Sequence, residues 1–243
     1  MSSGEVTQPS YSQTERGLRE LRSRIVAGHW PAATKLREVP LSKTFGVSRT
    51  PLRAALQRLE QEGLLERSGA GYIVRSFSMA DALVAIELRG VIEGTAARLA
   101  AERGADEQML VDIKSVVADI DAVIHNDVID GYAKLNDLFH DKLVRLAGNE
   151  LIRSEVERAS RLPFAAPSAF SSNAEDQARF KTSLIVGQQQ HHALVQAIER
   201  GEGARAEALA REHAHLAKTN IEVAYRERAE NSCDIPQLAL VTE

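Results

Sequence analysis

Residues 36–76 read LREVPLSKTFGVSRTPLRAALQRLEQEGLLERSGAGYIVRS. Gly46-Val47 makes a turn between a short helical run through Leu41 and Phe45 and a longer one that begins at Ser48. Ser48 is an N-cap residue type and Pro51 is tolerated in a first turn. Leu52, Ala55, Leu56 and Leu59 then recur at helical spacing up to Gly63. Arg49, Arg53, Gln57 and Arg58 are left on the outward face. Residues 64–67 and 72–75 alternate as short strands around Ser68-Gly69-Ala70-Gly71, a turn-rich tip. Helix, turn, helix and hairpin in this order form a winged helix-turn-helix.

Upstream, residues 1–12 are Ser/Gln/Pro-rich and expected to be disordered. Leu18, Leu21, Ile25 and Val26 mark a first helix over 15–27, which Gly28 ends. Pro40 fits only near the first turn of the second helix, where a missing N–H costs little. After Ser76 the composition changes to long Ala/Leu/Ile-rich periodic runs. Their breaks predict helices over 79–103, 107–126, 130–146, 151–162, 178–199 and 203–230, with a loop over 163–173 and no strand of convincing length. The expected fold is mainly α. A disordered tail (1–12) and a winged helix-turn-helix (13–76) precede an antiparallel helical bundle (77–230) and a second tail (231–243).

The net charge of -4 over 243 residues hides an asymmetry. Residues 1–75 carry 12 Lys+Arg against 7 Asp+Glu, and the remainder 18 against 27. The first part suits a polyanion and the second would be repelled by one. Aromatic residues make up 5% of the chain, too few for a single-strand stacking platform. Cys233 is the only cysteine, and neither a leader-like stretch nor a run of 18 apolar residues occurs. The expectation is a reduced, cytoplasmic, nucleoid-associated protein with no membrane partner.

A recognition helix enters the major groove with its first residues at the base edges, where guanidinium groups bond bidentately to guanine. Arg49 and Arg53 lie four apart on one face of the third helix, with Gln57 one turn further on. Ser48, Thr50, Arg37 and Lys43 are better placed for phosphate. Gly69 and Gly71 would let the wing backbone skirt a minor groove, with Arg67 and Arg75 at its edges.

GVSRTPLRAALQRLEQEGLLE followed by GAGYIV resembles the GntR family of bacterial repressors. The helical body resembles the FCD effector-binding domain of its FadR-like subfamily. In the body the resemblance is carried by Arg89 and Glu93 in LRGVIEGTAARLA, by NDLFHDKLVRLAGN at 136–149, by HHALVQAI at 191–198 and by ALAREHAHL. It implies a homodimer that binds a short inverted repeat in double-stranded operator DNA and releases it on binding a small carboxylate metabolite. Three departures bear on the operator sequence: Ala33 where the family usually has Gly, Pro40 within the second helix, and Val39 where some relatives have a DNA-contacting Arg.

The resemblance also implies a metal site. Asn136 and His140 share a helix face at i, i+4. Gln190-His191 takes the family's Glu-His position, and His213 its second C-terminal histidine position; a register one residue over would put His192 in place of His191. Three neutral imidazoles with an amide oxygen from Asn136 suit Zn, Ni or Mn and leave positions for water or a carboxylate. The family usually has Asp where Asn136 stands, and a neutral amide lowers the affinity. His215, His29 and His125 read as ordinary polar residues. Arg89, one turn before Glu93, is either half of a buried ion pair or a clamp for an effector carboxylate. Arg145 and Arg161 are further candidates for that clamp.

These features point to a transcription regulator, most simply a repressor. The alternatives are an architectural DNA binder without effector and a metal-dependent hydrolase. No HExxH, Gly-rich phosphate loop or nucleophile-His pair supports an enzyme.

Overall fold

The computed structural model describes residues 12–126, 131–162, 164–165, 181–229 and 236–242. The expectations for residues 1–11, for most of the 163–173 loop, and for 178–180 and 230 lie outside the described residues. The chain divides into two compact units, one reaching Ser76 and joined by Ala239–Thr242, the other spanning Phe77–Leu238.

In the first unit, α1 (Gln13–Val26) begins with a capping box in which the Ser12 hydroxyl accepts from Glu15 N–H and the Glu15 carboxylate accepts from Ser12 N–H. A short strand β1 (Lys35–Leu36) follows, then α2 (Glu38–Phe45) and α3 (Arg49–Gln61). Pro40 is the third residue of α2, where no intrahelical N–H bond is lost. Leu21, Ile25, Leu52, Leu56 and Leu59 close a core with no exposed surface.

The wing strands β2 (Leu65–Ser68) and β3 (Gly71–Val74) pair antiparallel in the register Leu65↔Val74, Ser68↔Gly71. β3 also pairs with β1, so the sheet runs β1-β3-β2, one strand more than the sequence pattern predicts. Two residues carry no readable alternation, which is why β1 escapes detection. Ala33 precedes it with φ 64, the left-handed region that explains why glycine is usual there. Ala33 N–H and the Thr34 carbonyl both bond to Val74, so this strained turn fastens β1 to the sheet.

The second unit is all helical among its described residues: α4 (Met79–Arg103), α5 (Glu107–His125), α6 (Tyr132–Leu146), α7 (Glu150–Ala159), α8 (Lys181–Glu199) and α9 (Gly203–Ala229). Ser78 and Asp81 form a capping box on α4, and Asp106 and Asn149 cap α5 and α7. Ile113, Val116, Ile120, Phe139, Leu143, Leu194 and Ile198 interlock in the core. The longest contact is α4 along α9. It depends on Gly90, where an added Cβ would overlap the Ala214 methyl, and on Gly94, where it would meet Arg211 and the Glu207 carbonyl. Residues expected as a tail are in part folded: Pro236–Leu240 is a 3-10 turn, Leu240 and Val241 are buried, and Ala32 N–H donates to the Ala239 carbonyl. None of the described helices is long and apolar enough to cross a membrane.

Candidate metal centre and nucleic-acid interface

In the first unit α3 presents its N-terminal turn to solvent, with Arg49, Thr50, Arg53 and Gln57 exposed. Ser48 occupies the N-cap position without making a capping bond; its hydroxyl reaches Gln13 Oε1 at 3.4 Å. Arg37, at the start of α2, and Lys43, in its last turn, are exposed as well. Arg53 is gripped by Glu38 of α2, with Nε and Nη2 each 2.8 Å from a carboxylate oxygen. That double hydrogen bond, aided by the nearby charges of Arg53, Arg49 and Arg67 and opposed by partial burial, holds the Glu38 carboxyl below its ordinary range. The plane of the Arg53 guanidinium is therefore set by a contact within the unit.

Arg67 lies over the Tyr72 ring, 4.9 Å from its centroid, and 3.5 Å from Glu60; Arg75 is 3.6 Å from Glu66. Gly69, at φ 56, makes the exposed wing tip. Gly71 answers to packing within the unit, because a Cβ there would sit 2.8 Å from the Leu36 carbonyl of β1.

In the second unit four helices converge on one buried point. α4 supplies Arg89 and Glu93, α6 supplies Asn136 and His140, α8 supplies Gln188, Gln190 and His191, and α9 supplies His213. Arg89, Glu93, Asn136, His140, Gln188 and His191 are all buried. The ligand atoms of His140, His191 and His213 lie within 4.8 Å of one another. Each ring is anchored through Nδ1: His140 to Glu93 Oε1 at 3.1 Å, His191 to Gln188 Oε1 at 3.0 Å, and His213 to Gln190 Oε1 at 3.0 Å. The Nε2 atoms turn inward. Those of His191 and His213 are 3.2 Å apart, and that of His140 is buried without a partner.

Burial, then the charges of His213, His140 and His192, pushes His191 well below the usual histidine range. Burial, with His140 and Arg89 nearby, brings His213 down to about 3 despite the opposing pull of Glu93. Glu93 would be raised by its burial, but the facing His140 and Arg89 outweigh it and hold the carboxyl at about 2. An ionised Glu93 only accepts, so His140 donates to it through Nδ1. Three imidazoles, each held through Nδ1 and turning Nε2 inward, present a ligand set that fits a divalent cation.

Beside this point lies a cavity of about 50 Å³, lined among others by Arg89, Tyr132, Asn136, His140, Ser183 and His213. Arg89 Nη1 donates to the Ala165 carbonyl at 2.9 Å, Nε stands 3.8 Å from Glu93, and Nε makes no hydrogen bond. It is at once half of a buried ion pair and a cation on the cavity wall. Ser183 donates to Asn220 at 2.8 Å on the same wall.

Several candidates stand elsewhere. Arg145 is half exposed and pairs with Asp141 at 2.7 Å, one turn back on the outer face of α6, so it does not line the cavity. His192 points outward to Asp121 at 2.8 Å, which leaves His191 as the inward residue of the pair. His215 is exposed. The sequence reading passed over Glu93 as the partner of His140, and passed over Gln188 and Tyr132 altogether. Gln188 had one signal available, its place three residues before His191 on the same helix face.

Residues 14–73 match the description "Bacterial regulatory proteins, gntR family", and residues 85–216 match "FCD domain". The chain is 30% identical over 145 residues to the "Uncharacterized HTH-type transcriptional regulator YdhC" of Bacillus subtilis, a match covering 59% of this chain and 64% of that protein, less than two thirds of its length. It is 34% identical over 143 residues to the "Nta operon transcriptional regulator" of Aminobacter aminovorans, covering 58% and 67%. Both are named as transcriptional regulators and neither as an enzyme. In fold it is similar to the solved structure of McbR/YncC from Escherichia coli, with a TM-score of 0.63 at 17% identity, covering 90% of this chain and 99% of that one. With one signature over the winged helices and the other over the helices that build the histidine cluster, the chain belongs to the gntR family of bacterial regulatory proteins and carries an FCD domain as its helical body.

Proposed function

We propose that this protein is a DNA-binding transcriptional repressor that binds a pseudo-palindromic operator as a homodimer and lets go when a small organic acid occupies a metal-containing pocket. The observation that carries the reading is the inward convergence of His140, His191 and His213 beside the buried Arg89. His140, His191 and His213, with the Asn136 amide oxygen as a weak fourth partner, would hold Zn, Ni or Mn. When bound, the ion supplies a Lewis-acid point for a carboxylate. Arg89, on the wall of the cavity beside it, supplies the second charge. Arg145 is withdrawn from this role because of its outward pairing with Asp141.

The exposed residues Arg37, Lys43, Ser48, Arg49, Thr50, Arg53 and Gln57, with Arg67, Gly69 and Gly71 on the wing, are the proposed DNA-facing set. A second copy is supported by α4, which exposes Val84 (66%), Leu88 (44%) and Val91 (36%) at i, i+4 and i+7. Such a stripe on one helix face is suited to packing against a second copy. Coupling would consist of one acid-bound and one acid-free state with different half-site spacing.

The test is operator binding by fluorescence anisotropy, with acids first ranked by thermal stabilisation of the Zn-loaded protein. A ligand that raises the melting temperature and weakens operator binding supports the reading. Occupancy of the pocket with no change in operator affinity defeats it. A flat thermal response to a broad acid panel favours an architectural protein.

A further inference from the structure

We propose that Gln188 is a positioning residue of this centre: clamped by the Val117 carbonyl and by Asp121, it holds His191 in the Nδ1–H tautomer and aims the Nε2 lone pair at the cation. The purpose of the device rests on the metal reading above, but the tautomer is a property of the cation-free protein too.

A glutamine amide has one end that only accepts and one that only donates. Gln188 Nε2 lies 2.8 Å from the Val117 carbonyl oxygen and 2.7 Å from Asp121 Oδ1. Both of these partners can only accept. Turning the amide over would press its oxygen against those two oxygens at 2.7–2.8 Å and gain only the more distant His192 Nε2 at 3.4 Å, whose proton is already given to Asp121, so the amide favours one orientation. Its Oε1 therefore faces His191 Nδ1 at 3.0 Å. An accepting oxygen there requires a proton on Nδ1, which leaves the lone pair of the neutral ring on Nε2.

Asp121 is itself braced from outside, because its other oxygen accepts from His192 Nε2 at 2.8 Å. A string of three hydrogen-bonded partners thus runs from the surface of α5 and α8 to the ring that faces His213. It makes α5, which contributes no ligand, part of the centre. Gln188 and Gln190 are both neutral, so Glu93 is the one carboxylate among the three Nδ1 anchors. Metal ligands lose affinity when such outer partners are removed, because the ring then rotates or changes tautomer.

The test uses the full chain with Gln188→Met, which keeps length and volume without donor or acceptor, and Gln188→Leu as a second variant if the first fails to fold. Two readouts are taken. Long-range ¹H–¹⁵N histidine spectra of chelator-treated protein report the tautomer of His191, assigned by its disappearance in His191→Ala. Competition with a chelating indicator gives the Zn²⁺ affinity. We expect Nδ1–H in the parent, a mixture of tautomers in the variant, and an affinity lower by about 10–100-fold. Asp121→Ala, which leaves the Val117 carbonyl in place, should keep the Nδ1–H form. A folded variant with the parent's tautomer and Zn²⁺ affinity overturns the proposal, as does a parent whose His191 is protonated on Nε2. A parent that binds no Zn²⁺ overturns the metal reading alone, and the tautomer still decides the role of Gln188.

Discussion

His191 and His213 face each other ring nitrogen to ring nitrogen, Nε2 to Nε2 at 3.2 Å, while each Nδ1 rests on a glutamine oxygen. Two lone pairs at that separation repel unless a cation or a proton lies between them. Chelator-treated protein should therefore melt lower than Zn-loaded protein. At a free-ion concentration 100 times Kd the difference is about 2.7 kcal/mol, or roughly 5–10 °C for a chain of this size. His191→Ala combined with His213→Ala should abolish the difference, and elemental analysis should find the metal in the parent only.

The same cluster makes the cation-free protein sensitive to acid. His191 and His213 titrate lower in the folded chain than their ordinary value of 6.5. The unfolded chain therefore takes up protons first, and stability falls as pH drops below about 6.5, by about 1.4 kcal/mol per pH unit for each histidine. Glu93, lowered from 4.5 to about 2, stabilises above 4.5 and loses that contribution between those values. Both effects have the same sign. Urea midpoints at pH 7 and pH 5 should differ for the parent and converge in the double alanine variant.

Ala33 sits at φ 64, a conformation that costs an L-residue about 1–2 kcal/mol and glycine nothing. Ala33→Gly should stabilise the first unit by about 0.5 kcal/mol, because the greater freedom of unfolded glycine offsets part of the relief. Trp30 is the only tryptophan and lies in this unit, so its fluorescence reads the transition directly. A lower midpoint would contradict the strain.

Gly90 and Ala214 set how closely α4 and α9 approach, and so how far Arg89 and Glu93 stand from His213. Gly90→Ala should cost about 1–3 kcal/mol through overpacking and should weaken Zn²⁺ binding. Adding Ala214→Gly should restore part of both losses, whereas simple additivity of the two substitutions would show that the contact does not govern the site.

Arg53 and Lys43 should separate reading from gripping. Arg53→Ala, which removes the side chain oriented by Glu38, should cost about 1–3 kcal/mol on the operator and little on unrelated DNA. Lys43→Ala should weaken binding to every sequence and lower the salt slope by about one. Equal losses on both DNAs for Arg53→Ala would make it a phosphate contact.

The features legible along the chain are those that repeat locally. Helix periods, with Gly46, Ser48 and Gly63 for α3, mark α3 and α4 within one to two residues, because each depends on neighbours at i+3 and i+4. The family motifs likewise singled out Asn136, His140, His191 and His213. The remaining features depend on contacts between distant parts of the chain. β1 is two residues long and exists because β3 offers it an edge, and the segment ending in Leu240 and Val241 is ordered by burial that no local pattern encodes. Arg145 and Arg89 look alike as residues on helices, yet one meets Asp141 at the surface and the other a buried carboxylate. Gln188 is one of several polar residues on α8 until the fold brings Val117 and Asp121 of α5 against it. Partners separated by some seventy residues are chosen by how helices pack, and that choice fixes which nitrogen of His191 is free to bind.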